Sequence, residues 1–284
     1  EMTVPLWNKI RKCFYFSTKD SRQKSSKSNE REGNGFYRHI QRYAENIVVG
    51  GYDEYRQIGE NPSKNKHNNA VIHPPQNLQL DPSSLLSYSA YCAHSVSVTR
   101  SGSLIGVGYN SNGRISGSLA KTGISQFSEF SMNDSSGRPL APVSAVCTDY
   151  GTLYMFTKSC GSGRQLVFCD NGINGGTPVF LDIGSKEPVS LFGGYCHAAA
   201  ICTDGEVIFI NRDSVRNSPS SRIDAVSLPG GEKATMVACL DNSVFALSWS
   251  GRVFASVVES GSCVLKFSEV SELSGQKVVW LSGS

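Results

Sequence analysis

Residues 93–117 read Ala93-His94-Ser95-Val96-Ser97-Val98-Thr99-Arg100-Ser101-Gly102-Ser103-Leu104-Ile105-Gly106-Val107-Gly108-Tyr109-Asn110-Ser111-Asn112-Gly113-Arg114-Ile115-Ser116-Gly117. Two short apolar runs flank Ser101-Gly102, and a glycine there supplies the positive φ that a tight hairpin turn needs. The turn phrase recurs with variation: Thr148-Asp149-Tyr150-Gly151-Thr152-Leu153, Thr203-Asp204-Gly205-Glu206-Val207 and Ser248-Trp249-Ser250-Gly251-Arg252-Val253. Gly102, Gly151, Gly205 and Gly251 are spaced by 49, 54 and 46 residues. Recurrence at such a period marks a repeat architecture.

Around these glycines the order is constant: an apolar strand, a turn, a second apolar strand, then a variable connection rich in Gly and Asn. The strand pairs read as 144–147 with 153–156, 198–202 with 207–210, and 244–247 with 253–257. A small antiparallel unit cannot bury both its faces alone, so such units stack or close into a ring. The period suits a four-stranded propeller blade better than a β-sandwich or a β-solenoid. The fold expected is all-β.

The chain has 284 residues, 39% of them apolar, which is enough for a sizeable core. No apolar run approaches the ~18 to 20 residues that span a bilayer, and no secretory leader is visible, so a cytoplasmic or nuclear setting is expected. Nine cysteines are scattered without a Cys-x-x-Cys pair. They read as buried thiols, not as a metal site or disulfide framework. The net charge of +3 conceals a basic arm: residues 1–45 carry ten Lys or Arg against five Asp or Glu. Within it Lys19, Arg22, Lys24 and Lys27 lie among polar residues and form either an electrostatic anchor or a solvated linker. Residues 5–16 have the spacing of a short amphipathic helix. The chain thus divides into an arm, 1–45, and a repeat region, 46–284.

The stretch 93–117 resembles the repeat of the RCC1 (regulator of chromosome condensation) family: a leading His-Ser or His-Thr, an apolar strand, a Gly turn, then Trp-Gly-x-Asn-x-x-Gly-Gln-Leu-Gly. His94, Gly108, Asn110, Gly113 and Gly117 fall in register with that pattern. Residues 47–59, with Gly50, Gly51 and Gly59, look like the later half of the unit, and residues 191–205, with His197, look like its earlier half. The family's seven-bladed fold implies about four full blades here, with partial blades at both ends. Residues 278–284 resemble the strand that precedes a further leading His, so the reading is a ring incomplete in this chain, truncated at its C-terminal side.

No catalytic constellation stands out. His94 and His197 share one repeat position and read as structural hydrogen-bonding residues. The Gly-rich stretches 161–163 and 172–176 lack the Lys-Ser or Lys-Thr and following helix of a nucleotide loop. They are read as part of a long partner-binding loop carrying Arg164, Asp170, Asn171 and Asn174. No cofactor or metal is expected. The function expected is a non-enzymatic protein-interaction scaffold. The resemblance also implies guanine-nucleotide exchange on a Ran-like small GTPase, and the basic arm suggests a chromatin- or cytoskeleton-associated role.

Overall fold

The computed structural model describes the chain over residues 84–91, 94–110, 113–116, 123–158, 163–170, 177–259 and 264–281, apart from the side chains of 125 and 126. It further describes the backbone of three short strands, β1 (Gln41–Tyr43), β2 (Asn46–Gly51) and β3 (Val71–His73). The arm residues Lys19, Arg22, Lys24 and Lys27, the helix expected at 5–16, and Gly59, Gly117, Asn171 and Asn174 lie outside the described residues.

Four four-stranded antiparallel sheets follow one another along the chain, each a simple meander. The first holds β4 (Leu85–Tyr91), β5 (His94–Thr99), β6 (Leu104–Tyr109) and β7 (Gly123–Phe130). The second holds β8 (Ala141–Cys147), β9 (Gly151–Thr157), β10 (Arg164–Asp170) and β11 (Val179–Phe180). The third holds β12 (Pro188–Gly193), β13 (His197–Cys202), β14 (Val207–Asn211) and β15 (Ala225–Val226), with a one-and-a-half-turn helix α1 (Arg212–Asn217) between its last two strands. The fourth holds β16 (Ala234–Cys239), β17 (Ser243–Ser248), β18 (Val253–Val257) and β19 (Ser268–Glu269). The leading strands stand side by side, β4 next to β8, β8 next to β12 and β12 next to β16, as the blades of a propeller do.

The middle strands of the second, third and fourth blades are apolar at nearly every position because both their faces are covered; in the first blade β5 alternates Ser95, Ser97 and Thr99 with Val96 and Val98. In β13, Ala198, Ala200 and Cys202 enter the core shared with the second blade, while Ala199 and Ile201 enter the core shared with the fourth. β9 divides likewise, Leu153 and Met155 facing the third blade, Tyr154 and Phe156 the first. Strict alternation on one solvated face would have produced polar residues at every second position. A fully buried side chain such as Phe209 contributes about 2 to 3 kcal/mol through apolar burial, and it does so only while the neighbouring blade is in place.

Every leading strand carries a register shift near its start, at Leu85/Ser87, Pro142/Ser144, Pro188/Ser190 and Ala234/Met236. An extra residue there bends and twists the strand where the leading strands crowd together. The Pro-Val-Ser of 142–144 and 188–190 is the sequence trace of this bulge.

The turn glycines need one correction. Gly102, Gly205 and Gly251 have φ of 84°, 85° and 87° at the turn joining second and third strands. Gly151 does not belong to this set. It opens β9, opposite Asp170, at the position that His94 and His197 hold in their own blades. The equivalent turn glycine of the second blade is Gly163, with φ 86°. The strands 144–147 and 153–156 are therefore the first and second of their blade, not the second and third. Gly151 is required for space: a Cβ there would lie 2.1 Å from the Cys169 carbonyl oxygen. At Gly102 a Cβ would meet nothing within 4 Å.

These two glycines should respond differently to the same substitution. Gly102→Ala is expected to lower stability by about 1 to 2 kcal/mol, from its left-handed backbone alone. Gly151→Ala should cost about 3 kcal/mol or more, because the obstructing atom is backbone in the adjacent strand. Urea unfolding midpoints of the two variants test this, and equal losses would contradict it.

Candidate protein-interaction face

One end of the blades carries the turns that join first strands to second strands, and there the blades are tied to each other by polar side chains. His94, fully buried in the first blade, donates from Nε2 to the Gly151 carbonyl in the second at 3.1 Å and lies 3.0 Å from the Thr152 hydroxyl. His197 of the third blade donates from Nε2 to the Asp241 carbonyl of the fourth at 3.0 Å. A carbonyl can only accept, so Nε2 carries the proton in both rings.

The second and third blades are joined by ionic contacts. Asp170, at the end of β10, is 1% exposed and receives both Nε and Nη2 of Arg212, at 2.6 and 3.1 Å. This fork-to-fork pairing satisfies a carboxylate that would otherwise be costly to bury. Asn211 sets Arg212 in place, its side chain accepting from the Asp213 and Ser214 amides as the N-cap of α1. The Arg212 guanidinium also lies over the Tyr150 ring, 4.3 Å from its centroid.

Tyr150 and Tyr195 pack edge to face across that blade boundary, centroids 5.9 Å apart and hydroxyls 3.4 Å apart. The contact with Tyr150 is the main influence raising the Tyr195 hydroxyl above the ordinary phenol pKa. Between them the Asp149 amide donates to the Tyr195 carbonyl at 2.9 Å. From the first blade Arg114, stacked on Tyr109, donates to the Asp149 carbonyl at 2.9 Å. Cys196 sits within electrostatic reach of Asp241, Arg212, Asp149 and Asp213. Its thiol is pushed up to about 11, first by burial and then by Asp241, against the opposing influence of Arg212. A thiol held protonated in this way is a poor nucleophile. The face therefore presents a tyrosine pair among carboxylates, and Arg212 has its charge engaged by Asp170.

The opposite end, with the glycine turns, carries ion pairs of its own. Lys186 bridges Asp204, at 2.7 Å, and Glu206. Arg252 bridges Glu232, at 3.2 Å, and Glu269. Arg164 pairs with Glu187 and donates to the Pro188 carbonyl at 2.8 Å. Arg164 and Asp170 thus lie at opposite ends of one strand, and neither faces a partner from a shared loop. They are blade-to-blade ties, because a buried carboxylate and a guanidinium both need local compensation. Asn110 is likewise internal: its Oδ1 accepts the Ile115 amide at 2.8 Å and holds the connection after β6, where Gly108 and Gly113 take φ of 105° and 78°. Gly50 and Gly51 end β2.

No family model matches the sequence, and no curated protein matches it. Solved structures do match. Human WBSCR16 superposes with a TM-score of 0.56 at 15% identity, covering 80% of this chain and 62% of that one. Prp20p from Saccharomyces cerevisiae gives 0.56 at 14%, covering 81% and 60%. Yeast RCC1 (Prp20) bound to Kap60 gives 0.50 at 11%, covering 78% and 57%. The fold is an RCC1-like β-propeller. The chain spans about three fifths of the length of those RCC1-like structures. Within this propeller the leading His is a blade tie. Among the described residues no helix is long and apolar enough to cross a membrane, and no cluster of His, Cys, Asp and Glu could hold a metal ion.

Sequence reading did not single out Tyr150, Tyr195, Arg114 or Arg212 for this face. Tyr195-Cys196-His197 and Asp149-Tyr150-Gly151 occupy the same turn in successive blades, which is the signal that could have placed both tyrosines together.

Burial pulls the His197 pKa below its ordinary value of 6.5. A ring kept neutral by folding contributes stability that is complete above the unfolded pKa and is lost as pH falls through the lower, folded one. The unfolding free energy should therefore decline below about pH 6.5, and His197→Gln should remove that part of the slope. Asp170→Asn should cost about 3 kcal/mol, since it leaves Arg212 largely buried without its counter-charge. Urea titrations from pH 5 to 8 on the three proteins test both statements, and unchanged values would contradict them.

Proposed function

We propose that this chain is a protein-binding propeller whose working surface is the end carrying Tyr150 and Tyr195. The observation that carries the reading is the edge-to-face tyrosine pair spanning two blades, with Tyr195 38% exposed, held from below by the Arg212–Asp170 pair. Tyrosine supplies large contact area with few rotors to freeze, and it is enriched at the energetic centres of interfaces. The rim carboxylates Asp149, Asp213 and Asp241 favour a partner segment rich in Lys or Arg, which can stack on the rings and pair with the carboxylates.

A photo-crosslinking residue at Tyr195 should capture a discrete polypeptide in cells. The adduct should weaken when Asp213 and Asp241 are both changed to Lys. The same probe at Phe180, exposed on the last strand of the second blade, should capture none. Equal capture at both sites would overturn the reading.

Guanine-nucleotide exchange is the second reading, favoured by the likeness to Prp20p, whose structure is described with its binding to Gsp1p and histones. An exchange factor works by binding the nucleotide-free GTPase best. Release of a fluorescent guanine nucleotide from a Ran-like GTPase is expected to accelerate on this reading, and an unchanged rate would exclude it.

A further inference from the structure

Between β14 and β15 the chain closes α1 and runs on as Arg216-Asn217-Ser218-Pro219-Ser220-Ser221-Arg222. Ser218 is the C-cap of α1, already out of the helix at φ −148° and ψ 71°, and its amide donates to the Ser214 carbonyl. Its own carbonyl accepts the Ser221 amide at 3.1 Å. Pro219 then stops the helix, having no N–H with which to continue it. The Ser218 side chain takes no part in this: it is exposed, and among the described residues nothing bonds to its hydroxyl. Blades stand on both sides of the third, β8 and β16 each meeting β12, so this exposure is not that of a free edge.

Two guanidinium groups frame that hydroxyl in the sequence. Arg216, in the last turn of α1, is exposed and pairs with no carboxylate among the described residues. Arg222 lies beside Gly184, in the connection from the second blade to the third, where a glycine Cβ would meet its Nη2 at 2.9 Å. It shares with Ser218 and Ser221 the lining of a pocket of about 260 Å³ floored by Leu181, Val215 and Ile223. Its contact with Asp224 at 3.0 Å joins two largely exposed side chains and contributes little to stability. The sequence has one other Ser-Pro or Thr-Pro pair, Thr177-Pro178, with no Lys or Arg from residue 165 to residue 185. Pro178 leads straight into buried Val179 of β11.

We infer that Ser218 is an acceptor for a proline-directed protein kinase, and that Arg216 and Arg222 hold the phosphate once it is in place. A hydroxyl that bonds to nothing can enter an enzyme without loss of a native contact. Proline after it suits an active site that offers no acceptor there, whereas another residue would leave an N–H unpaired. In the transfer the Ser218 Oγ–P bond forms as the bond from the γ-phosphorus to the β,γ-bridging oxygen of a nucleoside triphosphate breaks. The nucleoside diphosphate leaves, and the hydroxyl proton passes to the carboxylate of the kinase. The product anion stands at the C-terminus of α1, where the helix dipole repels it, so it draws cations toward itself. Arg216 and Arg222 supply them, each presenting a fork of N–H donors. The clasp ties the end of α1 to the Arg222–Gly184 contact, and so to the rim of the second blade.

The test incubates the folded chain with a purified mitogen-activated protein kinase, a proline-directed enzyme, and magnesium ATP, and maps the phosphate by mass spectrometry. The expected result is one phosphoryl group on Ser218, with Thr177 left largely unmodified. Ser218→Ala should abolish it, and Pro219→Ala should slow it about tenfold or more, the factor that one unpaired N–H implies. The phosphorus resonance followed against pH reads the clasp. The second ionisation of the phosphate should lie below the value of about 6 that an unpaired phosphoserine shows. It should return to that value when Arg216→Ala and Arg222→Ala are combined. No phosphate on the folded chain, preferential phosphate on Ser220 or Ser221, or equal labelling of Thr177 would overturn the assignment of Ser218. An ionisation that the two arginine substitutions leave unmoved would overturn the clasp.

Discussion

The sheets of the second, third and fourth blades are apolar on both faces, and that is the constraint on which the rest depends. A four-stranded antiparallel sheet with one apolar face can stand against solvent on the other. One such as β12–β15, with Ala198 and Ala200 on one side and Ala199 and Ile201 on the other, cannot. Its stability resides at the boundaries between blades, where the side chains of two sheets interdigitate. Small residues in β13 and large ones in β9, β10 and β14 are the two halves of that fit, because alanines leave room for Leu153, Phe168 and Phe209.

Polar contacts then fix how one blade sits on the next. Apolar packing is tolerant of small rotations, whereas His94 on Gly151, His197 on Asp241 and Arg212 on Asp170 each demand particular atoms at particular places. These ties gather at one end of the blades, and the tyrosine pair is assembled from the same turns. The surface proposed to meet a partner is therefore also the most constrained part of the molecule. Rigidity there lowers the ordering entropy that binding must overcome.

Much of this was legible in the sequence, and the failures have physical causes. Short apolar runs at a fixed period revealed blades, and the Gly102, Gly205 and Gly251 turns were found because left-handed backbone so strongly selects glycine. The second blade was read out of frame because Thr148-Asp149-Tyr150-Gly151 imitates a turn phrase. Its true counterpart at Gly163 follows a hairpin extended beyond those of its neighbours. Glycine has two uses, positive φ and missing bulk, and a sequence does not distinguish them. Asp170 looked like a loop residue available to a partner because its neighbours are Gly and Asn. Its actual partner, Arg212, lies 42 positions away on a helix inserted into another blade, and no local pattern announces that encounter.

The central claim is that blades are stable only as neighbours. Native-state hydrogen exchange across the middle strands β9, β13 and β17 tests it most directly. The account predicts that the slowest amides of all three exchange through one shared opening and have nearly equal protection free energies. Three distinct protection levels, with one blade's middle strand opening while the strands packed on it stay protected, would contradict it.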